Sequence, residues 1–203
     1  MPDFIEKLET AQSQTQSDVG LFLAPHIEKI PLPVQRHDEP FLPLGKAVIQ
    51  ATTDITCAYI FDMAAYLTLG AVGIIALERT IDYVSRDRIT ILHGQFTGTD
   101  YQNLWDENAF GVDAITLAPT QPTEDFINRK DRAVFTCSDQ NSELAITDNI
   151  GLFSLTDNRM SIGQRKRKYS IQLPDRNLLT SKLRADFTDQ IRKSIETLKH
   201  DST

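Results

Sequence analysis

Seven short runs of apolar and β-branched residues are spaced along the chain, and that spacing constrains it more than any other feature. They are Val19–Leu23, Ile55–Phe61, Arg88–Leu92, Ala114–Leu117, Ala133–Cys137, Ile150–Leu155 and Tyr169–Leu173. Several are almost continuously apolar, as parallel strands covered on both faces are. Segments with helical periodicity stand between some of them, which predicts repeated βα units in preference to an antiparallel sandwich. Phe4, Ile5, Leu8 and Ala11 fall on one face of a helix over residues 3–17. Residues 44–54 predict a second helix. Asp62 is placed to cap a helical region from Met63 to Ser85 that breaks near Gly70 to Gly73. Five of the nine prolines lie between Pro25 and Pro43, which predicts a loop there. An eighth strand, around Asn177 to Leu183, has only a weak pattern. Residues 185–200 read as a closing helix with Phe187, Ile191, Ile195 and Leu198 on one face.

A length of 203 residues suits one domain, so residues 1–203 are read as a single domain able to bury a sizeable core. Hydrophobic content of 40% and charged content of 24% exclude a fibrous or disordered chain. The longest uncharged run, Met63 to Leu77, is too short to span a membrane. The opening Met1-Pro2-Asp3-Phe4-Ile5-Glu6-Lys7 has no basic segment followed by an apolar one, so a cytoplasmic location is expected. Cys57 and Cys137 both sit in strand-like segments and read as small buried hydrophobes in a reducing compartment; no metal site is expected. The net charge of −7 is uneven: residues 159–203 carry 11 Lys and Arg against 5 Asp and Glu, and the first 158 residues carry −13. The acidic body repels nucleic acid, while the basic end suits an acidic surface, including that body itself.

Several segments carry a resemblance in their order and spacing. They are Phe4-Ile5-Glu6-Lys7-Leu8, Val19-Gly20-Leu21, Ile27-Glu28-Lys29-Ile30-Pro31, and above all Ala51-Thr52-Thr53-Asp54-Ile55-Thr56-Cys57-Ala58-Tyr59. Tyr66, Leu69-Gly70-Ala71, Gly73 and Glu78-Arg79-Thr80-Ile81-Asp82-Tyr83-Val84 continue it. Phe110-Gly111-Val112-Asp113-Ala114-Ile115-Thr116 with Pro119, and Ala133-Val134-Phe135, complete it. Together they resemble the bacterial type of the orotidine 5′-phosphate decarboxylase family. The resemblance implies an α/β fold, a (β/α)8 TIM-type barrel, either complete or with its last βα unit eroded. It also implies a family role in pyrimidine biosynthesis as a carboxy-lyase, no cofactor, and a homodimer with sites at the interface.

The family's functional positions are occupied by other residues here. The aspartate that follows Val-Gly-Leu in the first strand and holds the ribose is Phe22, and the lysine that ends the second strand is Ile60. The Asp-x-Lys-x-x-Asp motif after the third strand becomes His93, Gln95 and Gly98 within Ile91-Leu92-His93-Gly94-Gln95-Phe96-Thr97-Gly98. The phosphate grip near the last strands is not recognisable around Leu173-Pro174-Asp175-Arg176. The stretch from Gly98 to Phe110 and the tail are both shorter than in the family. Decarboxylation without a cofactor leaves a localised carbanion, which needs a fixed ammonium to stabilise it and then protonate it. Glutamine and isoleucine cannot do this, and no lysine occurs between Lys46 and Lys130. Arginine stays charged and is a poor donor. Loss of decarboxylation is therefore expected, with no catalytic residue assigned.

His93, Gln95 and Asp100 remain as candidate ligand-binding residues. His93 would titrate near neutrality at a barrel mouth, but its ordinary reading is a ring filling the space of an aspartate. Gln95 could bond a uracil-like ring or simply be an exposed loop residue. Asp100 could be a slipped version of the motif's last acid, though without its lysine. Arg165-Lys166-Arg167-Lys168 with Tyr169 could hold a phosphate, while its ordinary reading is a solvated loop. Gly94 and Gly98 with Thr97 and Thr99 match no phosphate-loop spacing, and Ser138, Ser142 and Ser161 lie in no nucleophile motif. Phe22 and Ile60 would close the mouth with apolar groups. Three readings follow: a non-catalytic homologue with a structural or interaction role, a binder of a nucleotide or phosphate, and a genuine decarboxylase with rewired residues.

Overall fold

The computed structural model describes residues 2–126, 128–138, 146–163, 168–175, 178 and 185–201. Eight strands form one sheet in sequence order: β1 Gly20–Leu23, β2 Ala58–Asp62, β3 Ile89–Phe96, β4 Ala114–Leu117, β5 Ala133–Cys137, β6 Ile150–Ser154, β7 Arg159–Ile162 and β8 Tyr169–Gln172. The first six pair in parallel, and β6–β7 and β7–β8 pair antiparallel. A parallel bridge from Gln172 to Val19 brings the two ends of the sheet together as a barrel. Asp18 tightens that seam by accepting from Gln172 through both its carbonyl (2.9 Å) and its carboxylate (3.0 Å). The helices are α1 Phe4–Thr15, α2 Phe41–Thr52, α3 Met63–Leu67, α4 Gly70–Asp82 and α5 Phe187–Asp201.

Alternation along the strands separates two cores. Phe22, Ala58, Ile60, Ile89, Ile91, Ala114, Phe135 and Phe153 point into the barrel with Met160, Ile162 and Ile171. Leu21, Leu23, Tyr59, Phe61, Leu92, Ile115 and Val134 point outward into a second core with α2, α4 and α5. A period of two on both faces is why these strands read as continuous apolar runs. Among the outward residues, Tyr59 shares a 2.9 Å hydrogen bond with Thr52, and burial pushes its phenol up to about 12. Burial likewise pushes the Cys57 thiol up to about 12, so it is a packing group.

Helix α1 closes the N-terminal end of the barrel. Its start is fixed by a capping box in which the Asp3 carboxylate accepts from Glu6 N and the Glu6 carboxylate from Asp3 N. Its apolar face, Phe4, Ile5, Leu8 and Ala11, belongs to the interior core, and Phe4 meets Phe135 edge-on at 6.1 Å. Lys7 Nζ reaches Asp113 at 2.6 Å, tying the helix to the start of β4.

Three expectations change. The loop predicted from Pro25 to Pro43 ends early, because α2 begins at Phe41 instead of residue 44. Glu39 accepts from the N–H groups of Phe41 and Leu42, and Pro43 stands in the first turn, where its missing N–H costs nothing. The strand predicted as Arg88–Leu92 runs on to Phe96. Repetition of βα units also stops before the end of the chain. Residues 154–159 make a hairpin in which Ser154 and Asp157 bond each other and Asn158 takes φ +48°, and β7 follows. Its outward groups, Arg159 and Ser161, with Ser170 and Gln172 of β8, are polar, so this part of the wall has no apolar face for a helix to cover. β7 brings the described strands to eight; the strand expected around Asn177 to Leu183 lies outside the described residues apart from Leu178. Ser142 and Arg165–Arg167 of the basic cluster also lie outside them.

The closing helix packs on α2 through Phe187, Ile191 and Ile195. Arg192 adds a bidentate pair to Asp54 (2.7 and 2.8 Å) and donates to the Ala51 carbonyl (2.9 Å). No described helix is long and apolar enough to cross a membrane.

Candidate functional site

The C-terminal ends of the parallel strands form the mouth of the barrel, where this architecture presents functional side chains. Phe22 from β1, His93 from β3 and Phe153 from β6 meet there. The His93 ring stands edge-on to Phe22 at 5.4 Å and to Phe153 at 5.5 Å, and the two phenyl rings lie 6.4 Å apart. Ile60, paired with both Phe22 and Ile91, is fully buried in the layer beneath. Three buried rings thus stand over an aliphatic layer at this end of the interior.

A bulge in β3 sets the orientation of His93. Leu92 is in register with Ile115 and Phe96 with Leu117, so extra residues of β3 face Thr116 alone. Thr116 Oγ1 accepts from the backbone N–H of Gly94 (3.1 Å) and of Gln95 (3.2 Å). With both lone pairs used, its own hydrogen is left for His93 Nδ1 at 2.9 Å, which assigns Nδ1 as the acceptor of the ring. A side chain at position 94 would displace the Phe96 ring, because a Cβ there would sit 2.3 Å from it. Gln95 takes φ +48°, an uncommon value for a residue with a side chain, and it is exposed.

The sequence candidates therefore separate. His93 is buried inside the mouth, whereas Gln95 faces solvent from the bulge. Asp100 is exposed on the short 3-10 helix Thr99–Trp105, beyond Gly98, whose N–H donates to the Gln121 side chain at 2.6 Å. The structure shows no contact that brings the three together. Thr116 and Phe153, which hold the histidine, carry no local sequence signal, since each acts only through strand neighbours. Among the described residues, no group of three or more His, Cys, Asp or Glu is placed to hold a metal ion.

Comparison with known proteins decides the relationship. The orotidine 5′-phosphate decarboxylase of Thermomicrobium roseum is 30% identical over 181 residues, covering 85% of this chain and 61% of that protein. That of Herpetosiphon aurantiacus is 30% identical over 141 residues, covering 65% and 52%. This chain is a homologue of the orotidine 5′-phosphate decarboxylases. It spans only about three-fifths of the length of the first relative and half that of the second. The Leishmania donovani OMP decarboxylase shares the fold with a TM-score of 0.56 at 19% identity, covering 74% of this chain and 70% of that one. The Leishmania donovani UMP synthase does so with a TM-score of 0.59 at 18% identity, over 75% and 39%. No family model matches the chain. The positions at which the resemblance leads one to expect the ribose acid, the second-strand lysine and the first motif acid are Phe22, Ile60 and His93. Phe22 and His93 belong to the ring cluster at the mouth, and Ile60 to the layer beneath it.

Proposed function

We propose that this chain is an orotidine 5′-phosphate decarboxylase homologue that does not decarboxylate and is kept for a structural or interaction role. One observation carries the reading: the Phe22–His93–Phe153 ring cluster over Ile60 stands where decarboxylation would need carboxylates and an ammonium. Among the described residues no cation is placed beside these rings, and the Nδ1 lone pair of His93 already accepts from Thr116. Lys7 belongs to the opposite end of the barrel, paired with Asp113. The apolar mouth also removes the cost of burying charge, which favours a stable closed barrel.

The test is to mix purified protein with orotidine 5′-phosphate at comparable concentrations, follow the orotate absorbance for a day, and run a thermal-shift scan alongside. The reading expects no loss beyond the buffer control and no change in melting temperature. Loss of absorbance that His93→Ala or Asp100→Ala abolishes would establish a rewired lyase instead. A raised melting temperature without turnover would establish a nucleotide binder, and the role of Gln95 would then be read from Gln95→Ala.

A further inference from the structure

At the end of the barrel opposite the mouth, a cleft of roughly 670 Å³ opens between α1, the C-terminal end of α4 and the beginnings of β3, β4 and β5. We propose that it binds a small organic anion with one carboxylate, held by Arg132 and Arg86 with its apolar body against Phe110, Ile81 and Val84. The inference does not depend on whether the mouth turns over a substrate.

Hydrogen-bond accounting leads there. The two buried or half-buried acids of the cleft are already satisfied. Asp113 accepts from Lys7 through Oδ1, and from the Thr90 N–H (2.8 Å) and hydroxyl (3.0 Å) through Oδ2. Asp131 accepts from Arg129 and pairs with Arg132 at 3.3 Å. What remains unused is donors. Arg132 is only 9% exposed; its terminal nitrogens reach the carbonyls of Asp131 (3.2 Å) and Trp105 (3.4 Å), yet its buried Nε–H has no partner. A buried charged donor without an acceptor is costly, so the Arg132 charge is incompletely met by its neighbours and favours an anion in the cleft it lines. The Arg86 guanidinium lines the same cleft, is exposed, and makes no hydrogen bond or ion pair. Arg88 is committed to the Thr53 carbonyl (2.8 Å) and the Gln14 side chain (2.9 Å).

The rest of the lining sets the ligand's charge and shape. Asp82 and Glu107 are exposed, unpaired carboxylates on the rim, so they repel a dianion more than a monoanion. Ile81 and Val84 are buried apolar neighbours, and Phe110 is half-buried, which suits an apolar body. The volume lies in the range of small-molecule sites.

Benzoate, benzamide and inorganic phosphate are the probes, titrated into the 15N-labelled 203-residue chain at constant ionic strength. The Arg132 Nε–H resonance and the indole N–H of Trp105, the one tryptophan in the chain, are the readouts. Expected is a saturable shift with benzoate, none with benzamide, and weaker binding of phosphate. Arg86→Gln, which alters an exposed side chain without partners, should weaken benzoate about fivefold or more through loss of one charge-assisted contact. Absence of a saturable benzoate shift, or benzoate affinity indifferent to Arg86→Gln, overturns the proposal. Phosphate binding tighter than benzoate overturns the carboxylate assignment in favour of an inorganic oxyanion.

Discussion

Replacing Phe22 by alanine tests whether the mouth is a packed core or an open site. Phe22 is 4% exposed and touches two rings, His93 at 5.4 Å and Phe153 at 6.4 Å, with Ile60 in the adjacent strand. Truncating a phenylalanine so enclosed removes its transfer free energy and leaves a cavity, together about 3–4 kcal/mol. For a chain of this length that corresponds to a fall of about 6–16 °C in melting temperature. Phe22→Leu keeps most of the volume and should cost less than about 1.5 kcal/mol. A cycle with His93→Ala should show the two losses sub-additive by about 0.5–1.5 kcal/mol, because the edge-on contact can be lost only once. Urea unfolding followed by Trp105 fluorescence measures all four species. A cost below about 1 kcal/mol for Phe22→Ala would mean that the ring fills no space the core needs. The closed-mouth argument, and the proposed function built on it, would then fail.

Two further outcomes follow from the same geometry. Thr116→Val removes the acceptor of the Gly94 and Gln95 N–H groups and the donor to His93, and should destabilise by about 2–4 kcal/mol; Thr116→Ser should recover most of it. A loss in Thr116→Ser as large as that in Thr116→Val would show that the hydroxyl matters no more than the methyl. The Arg192 guanidinium holds the Asp54 carboxyl below its ordinary value of 3.8, so its contribution is present above that pH and is lost as pH falls through the folded value. Wild type should therefore exceed Asp54→Asn by no more than about 1 kcal/mol at neutral pH, since the pair is largely exposed. That margin should shrink as pH falls below the ordinary carboxylate range and the Asp54 carboxylate takes up its proton; a margin unchanged by acidification would show that charge on Asp54 is not its source.

Much of the fold was legible because strand and helix periods are local properties. All seven apolar runs are strands, and Asp62 accepts from Ala65 N at 3.2 Å as the cap expected for α3. The strand that escaped notice, Arg159–Ile162, is half polar: Met160 and Ile162 alternate with Arg159 and Ser161, so no apolar run marks it. Its signal was the turn before it, where Asp157 and Asn158 supply a side-chain bond and a positive φ. The helix start at Phe41 was hidden by Pro43, which reads as a breaker unless the first turn is recognised.

The residues at positions 22, 60, 93 and 95 could be compared with a family pattern from the sequence alone, and that comparison already argued against an ammonium at the site. Where those side chains lie was a different matter. His93 and Gln95 are two residues apart, yet one is buried between two rings and the other faces water. The difference comes from a bulge that exists only because β3 and β4 are paired and Thr116 gathers two backbone N–H groups of the longer strand. The amino-acid sequence thus determined which segments become strands, since that depends on residue type and local period. Only the tertiary structure decided that three rings meet at the mouth, that α1 packs against the other end of the interior, and that Arg132 is buried in a cleft with an unmatched donor, because each depends on groups far apart in sequence being packed against one another.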